Sequence, residues 1–149
     1  MGIKETTGFN LGKWEKQAEQ RYLNTVFAAL SYLGEECVGH ARREDTGGNY
    51  KDDTGNLRGS VGYVVAIRGK IAHMSSFEQV KNGVDGPPAG RSLAEELASQ
   101  ADKNAAVLIV VAGMKYAIYV ERLDNYNVLG NTMLYAKERM PKLLKELGL

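Results

Sequence analysis

Residues 61–77 read VGYVVAIRGKIAHMSSF, and this stretch decides the fold. Val61, Tyr63, Val65 and Ile67 alternate with Gly62, Val64 and Ala66, the two-residue period that sends neighbouring strand side chains to opposite faces. Arg68-Gly69-Lys70 is a turn signal, and Ile71, His73, Ser75 and Phe77 continue as a more polar partner strand. A β-hairpin is expected here. A tight turn favours antiparallel pairing, because parallel neighbours need a crossover of roughly a dozen residues or more.

Outward from the hairpin, residues 105–112 (AAVLIVVA) are the most apolar stretch of the chain and rich in β-branched side chains. They are expected to form the central strand, covered on both faces. Gly113-Met114-Lys115 reads as a turn into residues 116–121, where Tyr116, Ile118 and Val120 alternate with Ala117, Tyr119 and Glu121. That pattern predicts a second hairpin.

Helices flank these strands. Leu11, Trp14, Ala18, Tyr22, Val26, Leu30, Leu33 and Cys37 recur at three- and four-residue steps, the stripe of an amphipathic helix with Asn10 as its N-cap. Trp14 lies on that stripe and is expected to pack on the sheet. Gly34 and Gly39 weaken a helix, so the segment ends at Leu33 or runs on to about Arg43. Thr54 reads as the cap of a short helical turn through Arg58. Ser92 and Glu95 have the spacing of a capping box for a middle helix carrying Leu93, Leu97 and Ala101. Met133, Ala136, Met140, Leu143 and Leu147 mark a C-terminal helix in which Pro141 predicts a kink or a fresh start. Residues 1–9 are expected to be flexible, and 44–53 and 81–90 to be mobile loops, from their Gly, Pro, Asn and Asp content. The expectation is one α+β domain over 1–149, with an antiparallel sheet of two hairpins, about four strands, packed by a long N-terminal, a middle and a C-terminal helix.

Composition narrows the function. At 149 residues the length suits one domain, and 44% hydrophobic content can fill its core. The formal net charge of +1 lacks the basic excess of a tight nucleic-acid binder. Cys37 is the lone cysteine, so no intramolecular disulfide forms and a reducing compartment is expected. The first residues lack the apolar segment of a signal peptide, and the longest apolar run is far short of the roughly 20 residues that span a membrane.

Chemistry-bearing motifs are sparse. No G-x-x-x-x-G-K-[ST] phosphate loop, no G-x-G-x-x-G after a strand and no G-x-S-x-G elbow occurs. Only His40, His73 and Cys37 are available as nitrogen or sulfur metal ligands, against the four that structural zinc usually takes. Glu36 and His40, four apart, suit a pair on a helix surface. Cys37 sits on the apolar stripe as a small buried thiol. The doublets Asp52-Asp53 and Glu95-Glu96 read as solvated. The tyrosines Tyr63, Tyr116 and Tyr119 suit a half-buried sheet or a protein interface better than a base-stacking platform. No catalytic, cofactor-binding or metal-ligating residue is expected.

Two segments carry a resemblance. Residues 53–61 (DTGNLRGSV) are similar to the TGNLR-x-S entry into the first hairpin of the tail-component family of lambda-like long-tailed bacteriophages, whose members are described as tail completion proteins of the head–tail neck. Residues 111–121 (VAGMKYAIYVE) resemble that family's VG-x-x-YA-x-YVE hairpin, and a closing helix containing a Pro occurs there too. The chain departs after Glu121, reading RLDNYN over 122–127 where many members have Phe-Gly-Thr and a Pro-rich stretch. The resemblance implies a structural role in the virion, with the host bacterial cytoplasm as the place of assembly. It also implies other neck or tail proteins as partners, several copies in a ring on assembly, and no membrane, cofactor or sequence-specific nucleic acid. It singles out Thr54, Asn56, Leu57, Arg58, Tyr116, Tyr119 and Glu121 as interface or fold residues; by residue type Thr54 and Asn56 can cap and turn the backbone, Leu57 plugs toward the core, and Arg58 can pair, with Glu121 as a candidate partner. The rival readings are a nucleic-acid-binding module or nuclease of a mobile element, and a small-molecule-binding or enzymatic α+β domain.

Overall fold

The computed structural model describes residues 10–43, 52–122 and 128–149. Strand β1 (Val61–Ile67) is buried over all but its last residue. It turns through Arg68 and Gly69, with φ of 54° and 78°, into β2 (Lys70–Met74). Two successive left-handed residues are the mark of a primed hairpin turn, whose twist matches that of the strands. The expected first hairpin is present, with Val65 opposite His73, but β2 ends at Met74, so Ser75 and Phe77 lie beyond the partner strand they were expected to continue.

The third strand, β3 (Ala106–Ala112), pairs antiparallel along the other side of β1, so the sheet runs β2-β1-β3. The expectation of residues 105–112 as the central strand is therefore corrected. An apolar run on both faces reports that both faces are covered, and says nothing about how many hydrogen-bonded neighbours the strand has. β1 holds the centre and β3 an edge.

The helices make the covering layers. α1 (Leu11–Arg42) begins at Asn10, whose side-chain oxygen accepts from the Lys13 amide at 3.0 Å. It runs through both glycines. Gly34 is required by a close approach: a Cβ there would stand 2.5 Å from the Tyr63 ring. α5 (Gly130–Glu146) packs beside α1, and Pro141 lies inside this one helix and starts no new one. Together these helices cover the face of the sheet formed by Tyr63, Val65, Leu108 and Val110. On the opposite face, α3 (Gly86–Ser99) sets Ala94 and Ala98 against Val64, Val111 and Phe77. The two-residue alternation of β1 is thus the division between two helical layers. The order is helices, sheet, helix.

Two further segments differ from expectation. Residues 116–121 form no strand; Ala117–Arg122 is helix α4, so the sheet has three strands among the described residues and the second hairpin is absent. The period-two alternation was compatible with either state over so short a stretch, and a captured turn before it tips the outcome, as described below. α3 starts at Gly86 with Pro at its first positions, ahead of the Ser92–Glu95 capping box, so its first turn lies inside the stretch expected as a loop. Residues 1–9, 44–51 and 123–127 lie outside the described residues, and with them the expectations placed there.

Trp14 is 49% exposed, against the expectation that it packs on the sheet. α1 has 32 residues, about 48 Å of helix at 1.5 Å per residue. Its buried positions begin only at Ala29, so the first half of its stripe lies beyond the sheet. Trp14→Ala should accordingly leave stability within about 0.5 kcal/mol of the parent. Gly34→Ala should lower it by about 1–3 kcal/mol, because overpacking against Tyr63 outweighs a helix-propensity gain of roughly 1 kcal/mol. Urea unfolding curves of the two variants check both values.

Candidate functional site

Thr54, Asn56, Leu57 and Arg58, four of the residues singled out by the resemblance, lie at the junction that precedes β1. Asp52 is buried, and its carboxylate accepts from the amides of Gly55 at 3.1 Å and Arg58 at 2.9 Å. This holds the turn that becomes α2 (Asn56–Gly59). Gly55 occupies the left-handed region at φ 84°, where a side chain would be strained. Thr54 Oγ1 accepts from the Asn56 amide at 3.2 Å, so Thr54 serves the local turn as its type suggested.

Each following residue reaches a different element. Asn56 Oδ1 accepts from the amides of Asp85 and Gly86, both at 3.1 Å, and so satisfies donors at the start of α3. Leu57 is buried with Ala117 and Val128, joining α4 and the approach to α5. Arg58 is 7% exposed, and its Nε donates to the Arg42 carbonyl at the end of α1 at 3.2 Å. A guanidinium there meets orphan carbonyls at the negative end of the helix dipole. Arg42 in turn donates through Nη2 to the Val61 carbonyl at 2.9 Å.

Ser60 captures the far end of β3. Its Oγ donates to the Leu57 carbonyl at 2.7 Å and accepts from the amides of Gly113 at 3.0 Å and Met114 at 3.3 Å. The Gly113 amide also reaches the Ser60 carbonyl at 3.1 Å, and the Ala117 amide reaches the Met114 carbonyl at 2.9 Å. That turn aims the chain into α4. Glu121 then lies one turn after Ala117, and its carboxylate accepts from the amides of Val128, Leu129 and Gly130 at the start of α5. A carboxylate on those free donors also faces the positive end of the α5 dipole.

The candidate Arg58–Glu121 pair is not among the ion pairs of the described residues. Arg58 is engaged at the end of α1 and Glu121 at the start of α5. Tyr116 is 40% exposed, and the two quoted motifs meet through Ser60, bonded to the Gly113 and Met114 amides, and through Leu57 packed with Ala117. The Tyr116 hydroxyl is pushed up in pKa by partial burial and by the charge of Asp52, with Thr54 opposing. Tyr119 lies in α4, and its side chain is outside what the structure describes.

Sequence reasoning missed Asp52 and Ser60. Asp52 was read as half of a solvated doublet; the available signal was an acidic residue three positions before a glycine turn, the spacing of a side-chain cap. A second polar group, joining α1 to α5, was only half visible. Glu36 Oε2 accepts from Tyr135 Oη and Arg139 Nε, both at 3.2 Å. His40 stacks on Tyr135 with centroids 4.8 Å apart, and its Nδ1 lies 2.9 Å from Thr132 Oγ1. Neighbouring Cys37 is buried, and burial together with the Glu36 charge pushes its thiol up to about 11. Among the described residues no group of three or more His, Cys, Asp or Glu is placed to hold a metal ion. No helix of the described residues is long and apolar enough to cross a membrane.

These contacts make the motif a joint between helix ends. Asn56→Ala should therefore lower stability by about 1–2 kcal/mol, since two amides of α3 lose their acceptor, whereas Asn56→Asp keeps it and should cost less. Chemical denaturation of the pair checks the difference. Compared with protein-family models, with curated proteins and with solved structures, the chain matches none.

Proposed function

We propose that this protein is a structural component of the head–tail neck or tail of a long-tailed bacteriophage, and that it acts in tail completion or head–tail joining by protein–protein contact, without turnover. The reading draws on the similarity of residues 53–61 and 111–121 to that family's motifs. One structural observation supports an assembly role above others: the exposed half of the α1 stripe. Leu11 is 58% exposed, Trp14 49% and Tyr22 58%, on the same stripe that buries Leu30, Leu33 and Cys37 further along. Contiguous apolar surface of this kind marks an interaction site, and Trp and Tyr are enriched where interfaces concentrate binding energy.

A second exposed patch lies on α4 and α5. Ile118 of α4 and Met133 of α5 are 65% and 55% exposed and flank a groove of about 330 Å³ whose wall includes Glu121. In this reading the joint built by residues 52–60 and Glu121 fixes the angles at which α1, α4 and α5 present their surfaces. The partners are neighbouring neck or tail proteins, with several copies arranged about the axis of the particle.

The test is to add purified protein to heads and tails assembled without it, and to count joined particles by electron microscopy and infectivity. The parent protein should restore joining. Trp14→Glu and Leu11→Glu should keep the parent's circular dichroism while joining falls by about tenfold or more. Full joining by both variants, joining without the protein, or a metal-dependent nuclease activity in it would overturn the proposal.

A further inference from the structure

The outer edge of β3 carries an unused set of backbone groups. Arg68 N–H donates to the Ala105 carbonyl at 3.0 Å and Gly113 N–H to the Ser60 carbonyl at 3.1 Å, which fixes the phase of the β1–β3 ladder. Antiparallel residues alternate between facing the neighbour and facing away. Val107, Ile109 and Val111 therefore bond to β1, and the amides and carbonyls of Ala106, Leu108, Val110 and Ala112 point outward. Among the described residues no strand pairs with that edge and no other hydrogen bond reaches those groups. Edge strands of natural proteins are usually short, charged, bulged or interrupted by Pro. β3 has seven residues, no charge, no Pro and no register shift against β1. β2, the other edge, has five residues, four of them exposed, and begins with Lys70.

The sequence of β3 also reads nearly the same in both directions: Ala-Val-Leu-Ile-Val-Val-Ala. We infer that a second copy of this chain pairs antiparallel along this edge, β3 against β3, about a two-fold axis through Ile109. In that register Ala106 stands opposite Ala112 of the second copy, and Leu108 opposite Val110. These are the four outward-facing residues, so every such pair exchanges both of its hydrogen bonds. Val107 meets Val111, and Ile109 meets itself in a non-hydrogen-bonded pair. Small residues face small ones, branched residues face branched ones, and the paired segment itself carries no charge.

The axis stands normal to the sheet, so each copy keeps its α1 and α5 on the same side. On that side a groove of about 680 Å³ runs between β3 and α5, lined by Leu33, Leu108, Val110, Met133, Ala136 and Met140. The added strand presents its own Leu108 and Val110 on this face and extends the groove's apolar floor. The pairing closes on itself: it joins two three-stranded sheets into one of six strands whose free edges are the polar β2 strands. A second copy thus satisfies the edge without propagating into a fibre. This inference stands on the β3 edge alone and does not rest on the neck reading.

Sedimentation equilibrium and oxidative cross-linking test it. The parent should sediment with twice the mass of the 16.3 kDa chain at micromolar concentration. Ala112→Pro and Ala106→Pro each delete an outward amide twice across the axis while sparing the β1 ladder, a position where an edge strand tolerates Pro. Each should weaken dimerisation by about tenfold or more. Ile109→Cys should form an intermolecular disulfide under mild oxidation, because opposed side chains in such a pair have Cβ atoms roughly 4.5–5.5 Å apart. Val107→Cys should not, since its copies lie four residues out of register, and the parent's buried Cys37 should not either. A monomeric parent, a dimer indifferent to both prolines, or equal cross-linking at 107 and 109 would overturn the inference. If a proline variant loses its circular dichroism, the cysteine pair decides on its own.

Discussion

The structure depends on one constraint, the burial of β1. A strand removed from water on both faces needs a layer over each face and a hydrogen-bonded neighbour on each side. The hairpin supplies one neighbour at almost no loop cost. The second has to come from far along the chain, and β3 arrives only after α3 has crossed the sheet. α1 and α5 then cover the face bearing Tyr63 and Val65, while α3 covers the face bearing Val64. Gly34 belongs to the same constraint, since the Tyr63 ring occupies the space a larger side chain would need. Tyr63 Oη, at the rim of this layer, donates to Glu35 Oε1 at 2.8 Å, so the hydroxyl of this buried ring is paired.

Where β1 begins, several helix ends meet, and helix ends leave backbone groups without partners. Residues 52–60 serve this need through four polar side chains that reach four different places: Asp52 α2, Asn56 α3, Arg58 α1, and Ser60 the turn into α4. Glu121 serves α5 in the same way. This explains why so short a segment combines Asp, Thr, Asn, Arg and Ser with two glycines, and why its members are mostly buried. Their chemistry is spent inside the protein.

Legibility in the sequence followed the range of the interaction that decides each element. The first hairpin and the N-terminus of α1 rest on neighbours in the chain, and alternation, the turn residues and Asn10 made them readable. The order of the strands was misread because an apolar run such as residues 105–112 reports coverage of its faces and not its rank in the sheet. α4 was read as a strand because Ser60, more than fifty residues earlier, sets the turn before it. Trp14 was placed on the sheet because periodicity names the apolar side of a helix without saying how far along that side the sheet extends. Within the candidate site, Thr54, Asn56 and Leu57 were rightly noticed as turn, cap and core. The partners of Arg58 and Glu121 stayed hidden, since each is a helix end brought near only by the fold.

In the proposed role, partners dock on the first half of α1, whose apolar stripe is core at Leu33 and Cys37 and exposed at Leu11 and Trp14. Trp14 is the only tryptophan of the chain, so its fluorescence reports on that stripe alone. The most direct measurement compares its emission and acrylamide quenching in the free protein and in joined particles otherwise free of tryptophan signal, obtained by labelling this chain with a fluorinated or aza-analogue. Assembly through α1 requires a solvated, readily quenched indole in the free protein that shifts to the blue and becomes shielded in the particle. An emission and quenching rate unchanged by incorporation would contradict it.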